Sequence, residues 1–141
     1  MHFSVQSNHI HLLVEADGTR TLGRGMQGLG IRLAKTINRR LGRAGRVWMD
    51  RYHCRALGTP REVRNALIYV LLNGRKHGVS GPGLDPCSSA AWFKGWQQAI
   101  AHPSDRAPIV ASRTWLASVG WRRHGLINVD ERPRGSPVRD R

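Results

Sequence analysis

His2-Phe3-Ser4-Val5-Gln6, then Ser7-Asn8, then His9-Ile10-His11-Leu12-Leu13-Val14-Glu15: two runs of β-branched and apolar residues flank a pair of polar turn-formers. This pattern predicts a tight antiparallel hairpin with strands over 2–6 and 9–15. Side chains alternate along a strand, so His9 and His11 share one face and Ile10 takes the other. With Ile10 turned to the core, the two imidazoles stand side by side on the opposite surface. They are either solvent-facing histidines of an edge strand or a pair of nitrogens placed to hold one divalent ion.

A two-stranded hairpin needs a helix to cover it, and the clearest helix signal lies further along. Thr59-Pro60-Arg61-Glu62 supplies an N-cap hydroxyl, a proline at the first helical position and a capping-box glutamate. Val63, Ala66, Leu67, Val70 and Leu71 mark its buried stripe, with His77-Gly78 as the stop. Tyr69 and Asn73 lie clear of that stripe and stack one above the other at i, i+4 spacing. The pair reads in two ways. Tyr69 is an amphipathic residue at the core boundary, or a phenol nucleophile beside an amide oxygen suited to Mg²⁺ or Mn²⁺.

Around these elements, apolar spacing predicts a helix over 22–41 (Met26, Leu29, Leu33, Ile37, Leu41), weakened by Gly23, Gly25, Gly28 and Gly30. A third strand is expected over 46–57, a loop over 81–86, and a last helix over 88–100 that docks Trp92, Phe93 and Trp96. A short helix over 113–121 would pack Trp115 and Trp121 on the body, and 129–141 is too polar to fold. The expected class is α+β, an antiparallel sheet flanked by helices, divided as a main domain 1–101, a helical extension 102–128 and a disordered tail 129–141.

The chain has 141 residues, the usual size of one domain. Its 23 Lys and Arg against 9 Asp and Glu give a net charge of +14, and all but three of the cations are arginine. Guanidinium forks match phosphate oxygens two at a time, so the expected partner is nucleic acid. Between residues 18 and 49, Arg20, Arg24, Arg32, Lys35, Arg39, Arg40, Arg43 and Arg46 occur with no acidic residue, a one-sign surface suited to phosphates. Arg61, Arg64, Arg75 and Lys76 add cations near Tyr69. Trp48 and Tyr52 are either stacking platforms for unpaired bases or core.

Other chemistries fall away. No run is long and apolar enough to span a bilayer, and no secretory signal follows Met1, so the expected location is the cytoplasm with no membrane partner. Cys54 and Cys87 are far apart and without a C-x-x-C, which argues against a zinc ribbon or a redox pair. Gly23-Arg24-Gly25-Met26-Gln27-Gly28 fits G-x-G-x-x-G, yet no strand leads into it as a dinucleotide site requires. His53 and His77 have no partner at metal-ligand spacing.

Three blocks in order carry a resemblance: Ser7-Asn8-His9-Ile10-His11-Leu12-Leu13-Val14, then Gly45-Arg46-Val47-Trp48 with Arg51-Tyr52-His53, then Tyr69-Val70-Leu71-Leu72-Asn73. Together they resemble the HUH-type single-tyrosine transposases, and more narrowly the REP-associated tyrosine transposase branch. The resemblance implies a transposase-type catalytic domain that cuts and rejoins single-stranded or hairpin DNA. By position, His9 and His11 would bind Mg²⁺ or Mn²⁺, Asn73 would complete the site, and Tyr69 would form a 5′-phosphotyrosine link. Family members often act as dimers, which implies a homodimer. The basic residues Arg24, Arg32, Lys35, Arg39, Arg40, Arg43 and Arg46 would then hold the DNA.

Two departures qualify that expectation. Family members usually carry a strand and a helix before the hairpin, whereas this sequence starts at Met1-His2-Phe3. On the resemblance an N-terminal part is missing, through a truncated gene, a mis-assigned start or a decayed copy, and a sheet edge would be left uncovered. The family motif also commonly reads asparagine-proline, and here Asn73 is followed by Gly74. The alternative function is a non-catalytic nucleic-acid-binding remnant, and a third is a stand-alone structural RNA-binding protein.

Overall fold

The fold is α+β and is given by a computed structural model, which describes residues 1–74 and 83–132. The chain divides into two units, one built from Met1–Val14 and the residues from Leu57 onward, the other from Glu15–Ala56. These boundaries differ from the compositional division at 101/102.

In the first unit, β1 (His2–Val5) and β2 (Ile10–Leu13) pair antiparallel, with His2 opposite Leu13 and Ser4 opposite His11. The Gln6 N–H donates to the His9 carbonyl at 2.8 Å, which leaves Ser7-Asn8 as the two-residue loop. The far edge of β1 is taken by the chain itself. Val5 N–H donates to Cys87 O at 2.8 Å, Ser89 N–H donates to Phe3 O at 2.9 Å, and Ser4 bridges Ser88.

That edge pairing corrects the expected helix over 88–100. Backbone groups committed to β1 cannot also serve a helical ladder, so only Ala90–Trp92 coils, in one 3-10 turn. Phe93 is extended, and Trp96 bridges Ile127 in parallel. The aromatics still dock: Phe93 and Trp96 are buried with ring centroids 5.1 Å apart, and Trp96 Nε1 donates to Ala90 O at 3.0 Å.

α2 (Pro60–Leu72) starts at the expected capping box. Thr59 Oγ1 accepts from Glu62 N at 3.2 Å, and Glu62 Oε2 accepts from Thr59 N at 3.1 Å. Val63, Leu67, Ile68, Leu71 and Leu72 of this helix form the core with Ala90, Phe93, Trp96, Trp121 and Ile127. The expected stop at His77-Gly78, with Arg75 and Lys76, lies outside the described residues.

The helix expected over 113–121 is split. α3 (Trp115–Ser118) is capped by the Thr114 hydroxyl, and a 3-10 turn follows over Gly120–His124. Trp121 is 2 % exposed in the core, while Trp115 is 51 % exposed beneath the Arg123 guanidinium, 4.9 Å from the ring centroid. Residues 129–132 are held rather than disordered: Val129 packs on the core, and Glu131 takes both arms of the Arg64 fork at 2.7 and 3.0 Å. The rest of the expected tail, 133–141, lies outside the described residues.

The second unit is α1 (Thr19–Arg40) and the segment that returns along it. The third strand expected over 46–57 is absent. Residues 46–56 instead lay two aromatics on α1, with Trp48 Nε1 donating to Gly30 O at 2.9 Å and the Tyr52 hydroxyl 3.7 Å from where a Gly23 Cβ would sit. Gly23 and Gly30 are about two turns apart on one side of the helix, so the glycines that weaken α1 are those that admit the rings. No helix among the described residues is long and apolar enough to cross a membrane.

Candidate functional site

The hairpin turns one face, His2 and Ser4 of β1 with His11 and Leu13 of β2, toward α2 and the core. Ser4 is fully buried, the His2 ring meets Phe93 edge-on at 5.2 Å, and Leu13 packs against the core. His11, opposite Ser4, therefore points inward and meets the Tyr69 ring at 4.9 Å, nearly perpendicular. This reverses the expected facing: the histidines lie on the α2 side, and Ile10 stays outside the core cluster. Side-chain alternation alone does not say which face is covered, and the packed side is set by where α2 docks.

Three of the four predicted site residues come together. His9 and His11 bring their Nε2 atoms to 2.9 Å, with ring planes 77° apart. The Tyr69 hydroxyl lies 3.5 Å from the same His11 Nε2. All three side chains are half-buried, so the group is both packed and reachable. Asn8, which the sequence suggested only as a turn residue, orients the pair: its Oδ1 accepts from His9 Nδ1 at 2.6 Å. A proton on Nδ1 leaves the His9 Nε2 lone pair directed at His11. The two nitrogens then either share one proton or both face a cation.

The distance suits a cation. Two nitrogens about 2.1 Å from one ion, at right angles, lie about 3.0 Å apart. Asn73 sits one turn beyond Tyr69 at the C-cap of α2. It is 0 % exposed, and among the described residues neither amide atom has a hydrogen-bond partner. A buried amide in that state lacks an acceptor and a donor that an ion with its water would supply. By donor type, two imidazole nitrogens and an amide oxygen suit a small divalent ion. Among the described residues no group of three His, Cys, Asp or Glu is placed to hold a metal.

Gly74 has a local reason of its own. A Cβ there would stand 2.5 Å from Asp85 Oδ2, and Asp85 is anchored through Oδ1 to Cys87 N at 2.8 Å. Neither a proline ring nor a methyl group fits at this helix exit. The Asp85 contact was invisible in the sequence because it joins residues eleven positions apart.

The basic residues are all on the surface. Arg24, Arg32, Lys35, Arg39, Arg40, Arg43 and Arg46 are exposed. At about 100° per residue, Arg20, Arg24, Lys35, Arg39 and Arg32 fall within about 120° of α1, with Arg40 beyond them. Gly23 and Gly30, with the rings on them, occupy another side. Arg43 and Arg46 also brace the return segment, donating to Arg46 O at 3.0 Å and to Trp48 O at 2.6 Å. Trp48 and Tyr52 are packed on α1 as described above. Arg64, one of the cations expected near Tyr69, is tied to Glu131 and to the carbonyls of Gly125 and Leu126.

No family model, no curated protein and no solved structure matches the chain.

Proposed function

We propose that this protein is a metal-dependent single-strand DNA transposase of the HUH single-tyrosine type, with Tyr69 as nucleophile. The observation that carries the reading is the convergence of His9 Nε2, His11 Nε2 and the Tyr69 hydroxyl within hydrogen-bond range of one another. Residues 58 positions apart in the chain reach that geometry only through the docking of α2 on the hairpin.

His9, His11 and Asn73 would hold Mg²⁺ or Mn²⁺, which when bound polarises a phosphate and offsets charge on it. With its Nε2 committed as a ligand, His11 cannot take the phenolic proton, which passes to solvent at the half-exposed tyrosine. The Tyr69 oxygen bonds to phosphorus as the bond to the 3′-oxygen breaks, and that oxygen leaves as a hydroxyl. The phosphotyrosine conserves the phosphodiester energy, so a second 3′-hydroxyl reverses the step without ATP. The arginine stripe of α1 contributes phosphate binding that weakens steeply with salt.

The test is a labelled single-stranded oligonucleotide incubated with Mn²⁺ and resolved under denaturing conditions. The expected result is a denaturant-resistant protein–DNA adduct that Tyr69→Phe abolishes. Binding without an adduct in the wild-type chain refutes the enzyme and leaves a nucleic-acid-binding remnant. Equal affinity for RNA and indifference to His9→Ala would point to an RNA-binding protein.

A further inference from the structure

A cleft of about 320 Å³ opens on the first unit between the N-terminal half of α2 and the chain near its C-terminal end. Arg61 and Asn65 line it from α2, and His124 and Arg132 from the other side. The Arg64–Glu131 pair forms part of its wall. We propose that this cleft binds a backbone phosphate of the single strand, upstream or downstream of the one at Tyr69.

The argument is one of unmet charge. Arg64 is spent structurally on Glu131 and two carbonyls. Among the described residues, the side chains of Arg61, Asn65, His124 and Arg132 make no hydrogen bond or ion pair. Among the described lining residues, three arginines against one glutamate give +2 with His124 counted as neutral, and that glutamate is already engaged. Like charges gathered around one concavity repel unless an anion sits among them, and nearly every polar atom available here is a donor. Such a site takes an acceptor-rich anion, and a phosphate accepts forked arginines from two sides.

The placement ties the cleft to the candidate active site, and the choice of a DNA strand as ligand rests on the function proposed above. Arg61, Asn65 and Tyr69 follow one another at i, i+4, i+8 on α2. Their rows climb one side of the helix at about 6 Å per step, so Arg61 stands about 12 Å along the axis from the tyrosine. A strand held at Tyr69 and running toward the start of α2 meets the Asn65 amide and then the basic cleft.

The test measures equilibrium binding of a fluorescent single strand of about 12 nucleotides in the Tyr69→Phe background, where no adduct can form. Affinity is followed in KCl from about 50 to 300 mM, where each phosphate contact contributes about 0.7 to the salt slope. Arg61→Gln/Arg132→Gln should lower the slope by about 1.4, and Arg61→Lys alone should restore most of its half. Neither arginine side chain has a partner among the described residues, so the thermal midpoint should not move. An unchanged slope overturns the proposal. So does a double variant that loses stabilisation by inorganic phosphate yet binds DNA as before, since that marks a free-phosphate site. An adduct in the wild-type chain with an unchanged slope sinks the cleft and leaves Tyr69; a lost slope with no adduct sinks Tyr69 and leaves the cleft.

Discussion

Acid should loosen the hairpin through His2. Its ring is largely buried against Phe93 and bonded to Ser89 Oγ at 3.0 Å. Burial, followed by the nearby Met1 ammonium, pushes its pKa down from 6.5 to about 4. The unfolded chain therefore takes up the proton first. The stability this group contributes is whole above pH 6.5 and is lost progressively as pH falls toward 4. The full loss is about 3 kcal/mol, and about 2.5 kcal/mol of it is reached by pH ~4.5. With a urea slope of about 1.5 kcal/mol per M, the midpoint falls by about 1.7 M. Carboxylates titrate in the same range, so the assay compares urea unfolding of the wild type with His2→Gln at pH ~7.5 and ~4.5. The variant starts lower for want of the ring contact but should lose about 2.5 kcal/mol less on acidification. Equal acid losses in the two proteins would refute the reasoning. Because His2 pairs with Leu13 across the sheet, the same loss loosens the strand that carries His11.

Asn73→Leu removes two buried amide atoms that have no partner among the described residues, at similar volume. It should raise stability by about 1–2 kcal/mol in urea unfolding while abolishing the adduct with DNA; a destabilised variant would show that the amide is satisfied in the fold. Mn²⁺ at about 100 times its dissociation constant should stabilise the wild type by about 2.7 kcal/mol and leave a His9→Ala/His11→Ala chain unmoved, read as a shift in thermal midpoint. Gly74→Ala drives a methyl group against Asp85 and should cost about 1–3 kcal/mol in chemical denaturation, with most of it recovered in Gly74→Ala/Asp85→Ala. Gly95→Ala places a Cβ 2.4 Å from both Phe93 and Trp121, two rings that cannot both retreat. A midpoint within a degree of the wild type there would contradict the packing.

Local chemistry was readable wherever neighbours in sequence are neighbours in space. The Ser7-Asn8 turn, the Thr59–Glu62 capping box, the stripe of α2 and the i, i+4 relation of Tyr69 to Asn73 depend on bonds spanning four residues or fewer. The one-sign charge of α1 is likewise a property of composition. Long-range competition settled the rest. Residues 88–100 carry helix-compatible spacing, but the edge of β1 offered their backbone a partner and took 87–89 into the sheet. Residues 46–56 have strand-like composition, but their aromatics found the bare backbone of Gly23 and Gly30. Which face of the hairpin is covered has no signature in alternation, because both faces alternate equally. Only the docked helix assigns the imidazoles to the inside, and with them the meeting of His11 and Tyr69.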